Sequence, residues 1–264
     1  MQFIVNWNVN PEIINFGFIA PRWYGLLFAS GFLLGAAIGH WIFKRENKPA
    51  DSLDRVVLYM LLGTVIGARL GEVLFYNPSY YLTHPLEIFK IWQGGLASHG
   101  AGIGLLLALF FYSRRSKDQS YIWILDRASI TIALGCALIR VGNLFNSEII
   151  GIPTRGNFGF VFERIDSLPR HPAQLYESAA YFMIFSMLLL LYKKNTAFNR
   201  PGLMTGICLT SMLSARFILE FFKENQVQFE SGMALNMGQI LSIPMFCLGI
   251  FLIIKYARRK SARV

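Results

Sequence analysis

Seven apolar runs, each about long enough to cross a bilayer, divide the chain. They cover roughly 22–43, 55–76, 95–113, 122–145, 173–192, 201–222 and 236–256. Turn-forming or charged residues separate them: Lys48-Pro49, Asn77-Pro78, Arg114-Arg115-Ser116-Lys117, Asn199-Arg200-Pro201 and Lys223-Glu224-Asn225. The pattern predicts an all-α polytopic membrane protein of seven transmembrane helices, with residues 1–264 forming a single membrane-embedded domain. The connecting segments near 77–94, 146–172 and 223–235 are short. The 146–172 loop carries mixed charges and Gly/Pro turns; it is too small for a domain and reads as a lid or binding loop.

Composition agrees with this reading. Hydrophobic residues make up 54% of the 264 and charged residues 15%, against about 25% charged in a soluble domain, which excludes a water-soluble globule and intrinsic disorder. The net charge of +10 would suggest nucleic acid in a soluble protein. Here the basic residues sit between apolar runs, so topology and anionic headgroups account for them and no nucleic-acid partner is expected. The first 18 residues contain no Lys or Arg, unlike the basic start of a cleavable signal, so the first apolar run is expected to stay as a span.

Loop charge gives the orientation. One set of loops holds Lys44, Arg45, Lys48, Arg55, Arg114, Arg115, Lys117, Lys193, Lys194, Arg200, Lys255, Arg258, Arg259, Lys260 and Arg263. The alternate set holds only Lys90, Arg155, Arg164, Arg170 and Lys223. The positive-inside rule then predicts a cytoplasmic C-terminus and an external N-terminus, the parity that seven spans require.

The other five basic residues, Arg22, Arg69, Arg127, Arg140 and Arg216, fall in or at the edges of spans. An Arg at a helix centre costs roughly 2.5–3.5 kcal/mol or more to insert, so it is expected to face protein, water or an anion. Arg22 and Arg127 sit near segment ends, where snorkelling to the interface stands beside a functional reading. Arg216 and Glu220 are four apart and share a helical face. They read either as a buried ion pair or as a carboxylate orienting an anion-binding guanidinium. Arg140, Asn143 and Ser147 form a polar stripe with Asn146 and Glu148 close by, which must face inward. Two arginines on different spans, each with amide or carboxylate neighbours, look like a phosphate clamp, because the planar guanidinium donates two hydrogen bonds at once.

His40 and His84 have bland settings, and His171 lies in the HPAQLYE run. His99 lies among Gly94, Gly95, Gly100, Gly102 and Gly104, where close backbone approach is easy. It is a candidate base, with a structural role equally open. HGAGIG starts a membrane span with no strand before it, so it is not a nucleotide loop. HExxH, GxSxG and a P-loop are all missing, which argues against a zinc protease, an elbow-type hydrolase and an ATP-driven machine. Cys136, Cys208 and Cys247 lie inside apolar runs without CxxC spacing, so neither a metal site nor a disulfide framework is expected. A transporter would use intramembrane charges too, but commonly with internal repeats, and none is evident. A phosphoryl transferase would call for a metal-binding carboxylate cluster, whereas the acidic residues here are scattered.

Taken together, RWYGLLF (22–28), GARLGEVLFYNP (67–78), GGLASHGAGIG (94–104), RVGNLFNSEIIG (140–151), HPAQLYE (171–177), RFILEFFK (216–223) and NMGQILSIPM (236–245) make the chain resemble the bacterial prolipoprotein diacylglyceryl transferases over nearly its whole length. The fourth motif is similar to the family signature G-R-x-G-N-F-x-N-x-E-x-x-G. Ile139 replaces the first Gly and Leu144 the Phe, while Arg140, Gly142, Asn143, Asn146, Glu148 and Gly151 fit; in the His motif Ala101 stands where Gly is common. The resemblance implies transfer of diacylglyceryl from phosphatidylglycerol to a lipobox cysteine of a prolipoprotein, releasing glycerol 1-phosphate. It also implies a multi-pass protein of the bacterial inner membrane with its site toward the periplasm. On this reading His99, Arg140 and Arg216 are the catalytic candidates. Tyr24, Arg69, Tyr76, Asn143, Asn146, Glu148, Gly151 and Glu220 are the substrate-binding candidates, with Gln174, Tyr176 and Glu177 weaker ones. No cofactor or metal is expected, because the lipid carries its own leaving group.

Overall fold

The computed structural model describes residues 3–17, 20–91, 94–116, 118–154, 156, 158–195, 200–224, 233 and 235–257. The basic tail after 257 and most of the expected 223–235 loop lie outside this range. Helices α1 (Trp23–Arg45), α2 (Ala50–Gly71), α3 (Pro78–Thr83), α4 (Ser98–Arg115), α5 (Tyr121–Asn146), α6 (Ala173–Lys193), α7 (Leu203–Leu219) and α8 (Met237–Ala257) form the bulk of the chain. Among the described residues, six stretches are long and apolar enough to cross a membrane: α1, α2 with its extension to Tyr76, α5, α6, α7 with its extension to Phe222, and Gly238–Tyr256 of α8. The chain is therefore a mostly helical, polytopic membrane protein. The seventh expected span, 95–113, is α4. Its 18 residues begin with Ser98 and His99 and end in Arg114-Arg115, so its apolar part is shorter than the other six.

The all-α expectation needs one correction. Strands β1 (Phe3–Trp7), β2 (Phe158–Phe162) and β3 (Pro169–Arg170) form a three-stranded sheet in the order β1-β2-β3. β1 runs parallel to β2, with Phe3 opposite Phe158 and Trp7 opposite Phe162, and β3 is antiparallel to β2. The N-terminal segment and the 146–172 loop are thus one folded element. Trp7 fastens it to α5: its indole N–H donates to the Leu144 carbonyl at 3.0 Å, and its ring meets Phe145 edge-on at 5.6 Å.

The chain divides into two compact units, Met1–Gly35 with Asp126–Val264, and Ala36–Leu125. In the second, α2 and α4 pack backbone to backbone. Gly63, Gly67 and Gly71 are one turn apart on α2 and meet Gly104, Gly100 and Ala97 of α4, with no room for an added Cβ at Gly67 or Gly100. Small residues at this spacing let two helices approach where hydrocarbon supplies no drive to associate. A π-helical turn, Glu72–Tyr76, continues α2. In the first unit, Asp126 caps α7 from another helix. It accepts from the backbone N–H of Gly202 at 2.7 Å and Thr205 at 2.9 Å, and from the Thr205 hydroxyl at 2.7 Å. Arg127, where snorkelling stood open, is buried with its guanidinium 4.0 Å from that carboxylate.

Candidate active site

The last turns of α5 carry the densest polar group in the first unit. Arg140 Nε lies 3.0 Å from Glu177 Oε2 of α6, in contact but off the line of its N–H. Glu177 is 0% exposed and takes Lys223 Nζ on its other oxygen at 2.9 Å. Lys223 is only 2% exposed and also meets Glu220 Oε2 at 3.0 Å. Cation, anion, cation, anion therefore alternate through a buried chain. Desolvating such charges is costly, and only mutual pairing makes it tolerable. Gly238 of α8 leaves the room in which the Glu220 carboxylate sits, since a Cβ there would come within 2.9 Å of it.

Arg216 is placed differently. It is half-buried, and among the described residues no group pairs with or accepts a hydrogen bond from its guanidinium. It lies one turn before Glu220, the last member of the buried charge chain that starts at Arg140. The Arg216–Glu220 ion pair that the spacing suggested is not formed. α7 ends at Leu219 and tightens into a 3₁₀ turn over Glu220–Phe222, and Lys223, three residues on, takes the carboxylate.

Beyond α5 the chain turns sharply. Ser147 and Ile149 both have φ of 55°, a conformation costly for any side chain and most of all for a β-branched one. The surrounding backbone holds it: Glu148 N–H donates to Asn143 O at 2.9 Å, Gly151 N–H to His171 O at 3.0 Å, and Ile152 N–H to Phe222 O at 3.0 Å. The turn carries the Glu148 carboxylate back over α5. There it accepts from Asn143 Nδ2 at 3.1 Å and Asn146 Nδ2 at 3.2 Å, while Asn143 Oδ1 accepts from Arg140 Nη1 at 3.2 Å. Gly151 lies so close to the His171 and Phe222 carbonyls that no Cβ fits. Its part is to let three chain segments close on one another. Tyr24 packs on Gly142, within electrostatic reach of Glu148 and Arg140. A polar cavity of about 640 Å³ opens beside Asn146 and Glu148, lined further by Asn8, Asn10, Pro11, Glu12, Arg22 and Arg164.

The chain matches the prolipoprotein diacylglyceryl transferase family over residues 11–255. It is 50% identical over 253 residues to the phosphatidylglycerol–prolipoprotein diacylglyceryl transferase of Chloroherpeton thalassium, covering 96% of this chain and 94% of that one. The enzyme of the same name from Tolumonas auensis is 49% identical over 255 residues, covering 97% and 98%. That of Bacteroides fragilis is 42% identical over 271 residues, covering 98% of each. The chain belongs to the prolipoprotein diacylglyceryl transferase family.

Of the transferase residues singled out in the sequence, Tyr24, Arg140, Asn143, Asn146, Glu148, Gly151, Arg216 and Glu220 lie in the first unit. His99, Arg69 and Tyr76 lie in the second. His99 is exposed in the first turn of α4, and Tyr76 is exposed at the end of the π-helical turn. Arg69 is 5% exposed and spent on backbone. Nε donates to Ile88 O at 2.8 Å, Nη1 to Gly94 O at 2.8 Å and Gly95 O at 3.1 Å, and Nη2 to Glu87 O at 2.5 Å. Its guanidinium also lies over the Tyr81 ring, 4.9 Å from the centroid. This arrangement ties down the segment leading to α4 and leaves little for a headgroup.

The sequence reading missed Lys223 and ranked Glu177 too low. Lys223 was counted as loop charge because it follows the sixth apolar run, 201–222. Its one usable signal is Glu220, three residues earlier.

Proposed function

We propose that this family member transfers the diacylglyceryl group of phosphatidylglycerol to the thiol of a prolipoprotein lipobox cysteine, forming a thioether and releasing glycerol 1-phosphate. One observation carries the reading at the level of residues: Arg216 is half-buried without a partner among the described residues, one turn before Glu220, which belongs to the buried charge chain that runs through Lys223 and Glu177 to Arg140. A half-buried guanidinium not taken by a described carboxylate suits a lipid phosphate.

The charge balance suits the reaction. The phosphodiester arrives with one negative charge, and the departing phosphate monoester gains a second. Groups that hold the second charge more tightly than the first lower the barrier. Arg216 meets the first charge. Arg140 is half-engaged by Glu177 and Asn143, and among the described residues nothing accepts from its Nη2, which is free for a phosphate oxygen as charge builds. A free thiol has a pKa of about 8.5, so a base is useful near neutrality. His99 is assigned that role: it takes the thiol proton while sulfur attacks the glyceryl carbon and the carbon–oxygen electron pair leaves with phosphate. Asn143 and Asn146 donate to phosphate or glycerol oxygens, Glu148 and Glu220 orient donors or accept from glycerol hydroxyls, and Tyr24 and Tyr76 hold headgroup or peptide. Gly151 shapes the site through its packing, and Arg69 acts through the segment preceding His99.

On this reading the protein is one domain of seven spans in the bacterial inner membrane, with the N-terminus periplasmic, the C-terminus cytoplasmic and the site toward the periplasm. The loop-charge asymmetry supports this orientation. The test is to incubate pure protein in detergent with labelled phosphatidylglycerol and a lipobox peptide. Glycerol phosphate and a thioether-linked peptide are expected in equal amounts, and absence of both overturns the reading.

A further inference from the structure

The transfer has an asymmetry of solubility. Its donor lies in the bilayer, whereas its small product is a water-soluble dianion with two hydroxyls that must leave by a polar route. We infer that the cavity lined by Asn8, Asn10, Glu12, Arg22, Asn146, Glu148 and Arg164 is an exit subsite for the released glycerol phosphate. The inference rests on the transfer reading above.

Three features of the cavity point to this ligand. First, it begins at the cluster itself, because Asn146 and Glu148 belong both to its wall and to the hydrogen-bond relay from Arg140 through Asn143. Second, its cations are lightly held. Among the described residues Arg164 has no ion pair or hydrogen-bond acceptor, and Arg22 pairs with Glu12 only at 3.9 Å. Two guanidinia so placed suit a phosphate dianion better than the monoanionic diester from which it came. Third, the other wall is built to accept. Glu12 and Glu148 are carboxylates, which repel phosphate but take hydrogen bonds from hydroxyls. The buried Asn146 Oδ1 has no hydrogen-bond donor among the described residues, so it too can take one. Cations for one end and acceptors for the other describe a polyol phosphate, and neither an acyl chain nor inorganic phosphate uses both. At about 640 Å³ the cavity has ample room for it.

The experiment uses the full chain in detergent. Glycerol 1-phosphate is added both as an inhibitor of turnover and, radiolabelled, as a ligand in equilibrium dialysis. Wild type is expected to bind it and to be inhibited, with glycerol and inorganic phosphate each at least tenfold weaker. Arg164→Gln and Arg22→Gln should each raise the inhibition and dissociation constants about tenfold, with a smaller change in KM for phosphatidylglycerol. Equal constants in variants and wild type overturn the inference. A rise confined to KM also overturns it, assigning the cavity to the incoming headgroup. Binding by wild type without any thioether formation leaves the cavity assignment standing and removes the transfer reading, so the two failures are distinguishable.

Discussion

Arg69 and Arg140 are both arginines sunk in apolar helices, yet they are solvated in opposite ways. Arg69 gives its donors to four backbone carbonyls over residues 87–95 and rests on an aromatic face. Arg140 is held by side chains, Glu177 and Asn143. Carbonyl dipoles neutralise nothing but fix geometry from several directions, so Arg69 behaves as a structural rivet. Carboxylate and amide partners can be shared or surrendered as a ligand arrives, so Arg140 behaves as a poised cation. Burial and residue type do not separate the two; the chemistry of the acceptor does.

The largest expected effect comes from breaking the poised side at its hub. Glu177→Ala leaves Arg140 and Lys223 buried without their shared carboxylate. It should cost about 3–5 kcal/mol of stability, read as a lowered unfolding midpoint in detergent, whereas an unchanged midpoint would show the pairs to be dispensable. Next, Arg140→Ala should reduce lipidation of a lipobox peptide by roughly 10²–10³-fold, the scale set by losing a charge-stabilising donor. Lysine at 140 should rescue only partly, because a point charge lacks the fork. Full activity in Arg140→Ala would remove Arg140 from the chemistry, and full activity with lysine would show that charge alone, not the fork, is used. Arg69→Ala tests the rivet. Each part-buried carbonyl left without its donor costs at most about 1–3 kcal/mol, and hydrogen exchange over 85–97 should accelerate while the remaining activity keeps its KM for phosphatidylglycerol. If KM rises with protection intact, Arg69 touches lipid and the contrast fails.

The smallest effect concerns a third arginine, on the sheet. Arg170 is paired with Asp166, at 3.0 Å from Nε, and with Glu224 at 2.9 Å. The hydrogen bonds from Arg170 hold the Asp166 carboxyl below its ordinary value. A depressed folded-state pKa adds stability that is complete above the unfolded value of about 3.9 and disappears as pH falls through the lower folded value. Proteolysis of the 152–170 segment should therefore quicken modestly below about pH 4 in wild type, and Asp166→Asn should flatten that dependence.

The helices were legible because insertion into lipid demands long apolar runs, and a 20-residue signal tolerates errors of a few residues. Residues 122–145 and 173–192 were expected, and Tyr121–Asn146 and Ala173–Lys193 were found. The sheet was not legible. FIVNW and FGFVF are five-residue strands whose partners lie far apart in sequence, and no local periodicity announces a parallel pair. The stripe of Arg140, Asn143 and Ser147, with Asn146 and Glu148 beside it, could be read because polar groups in a span stand out. Glu177 and Lys223 could not be ranked, since one sits just inside a helix start and the other just past a helix end, where charge is ordinary. Their value arises only when α6 and the turn after α7 bring them into contact.

The parallel pairing of β1 with β2 has a consequence for biogenesis. Residues 3–7 emerge from the ribosome well before their partner, which is more than 150 residues later. The strand must wait, unpaired, while four apolar runs are threaded into the bilayer, and it docks only once the chain up to Phe162 has been made. Joining ends so distant is slow, because closure entropy precedes the reward of contact. A strand made early is thus among the last to find its place.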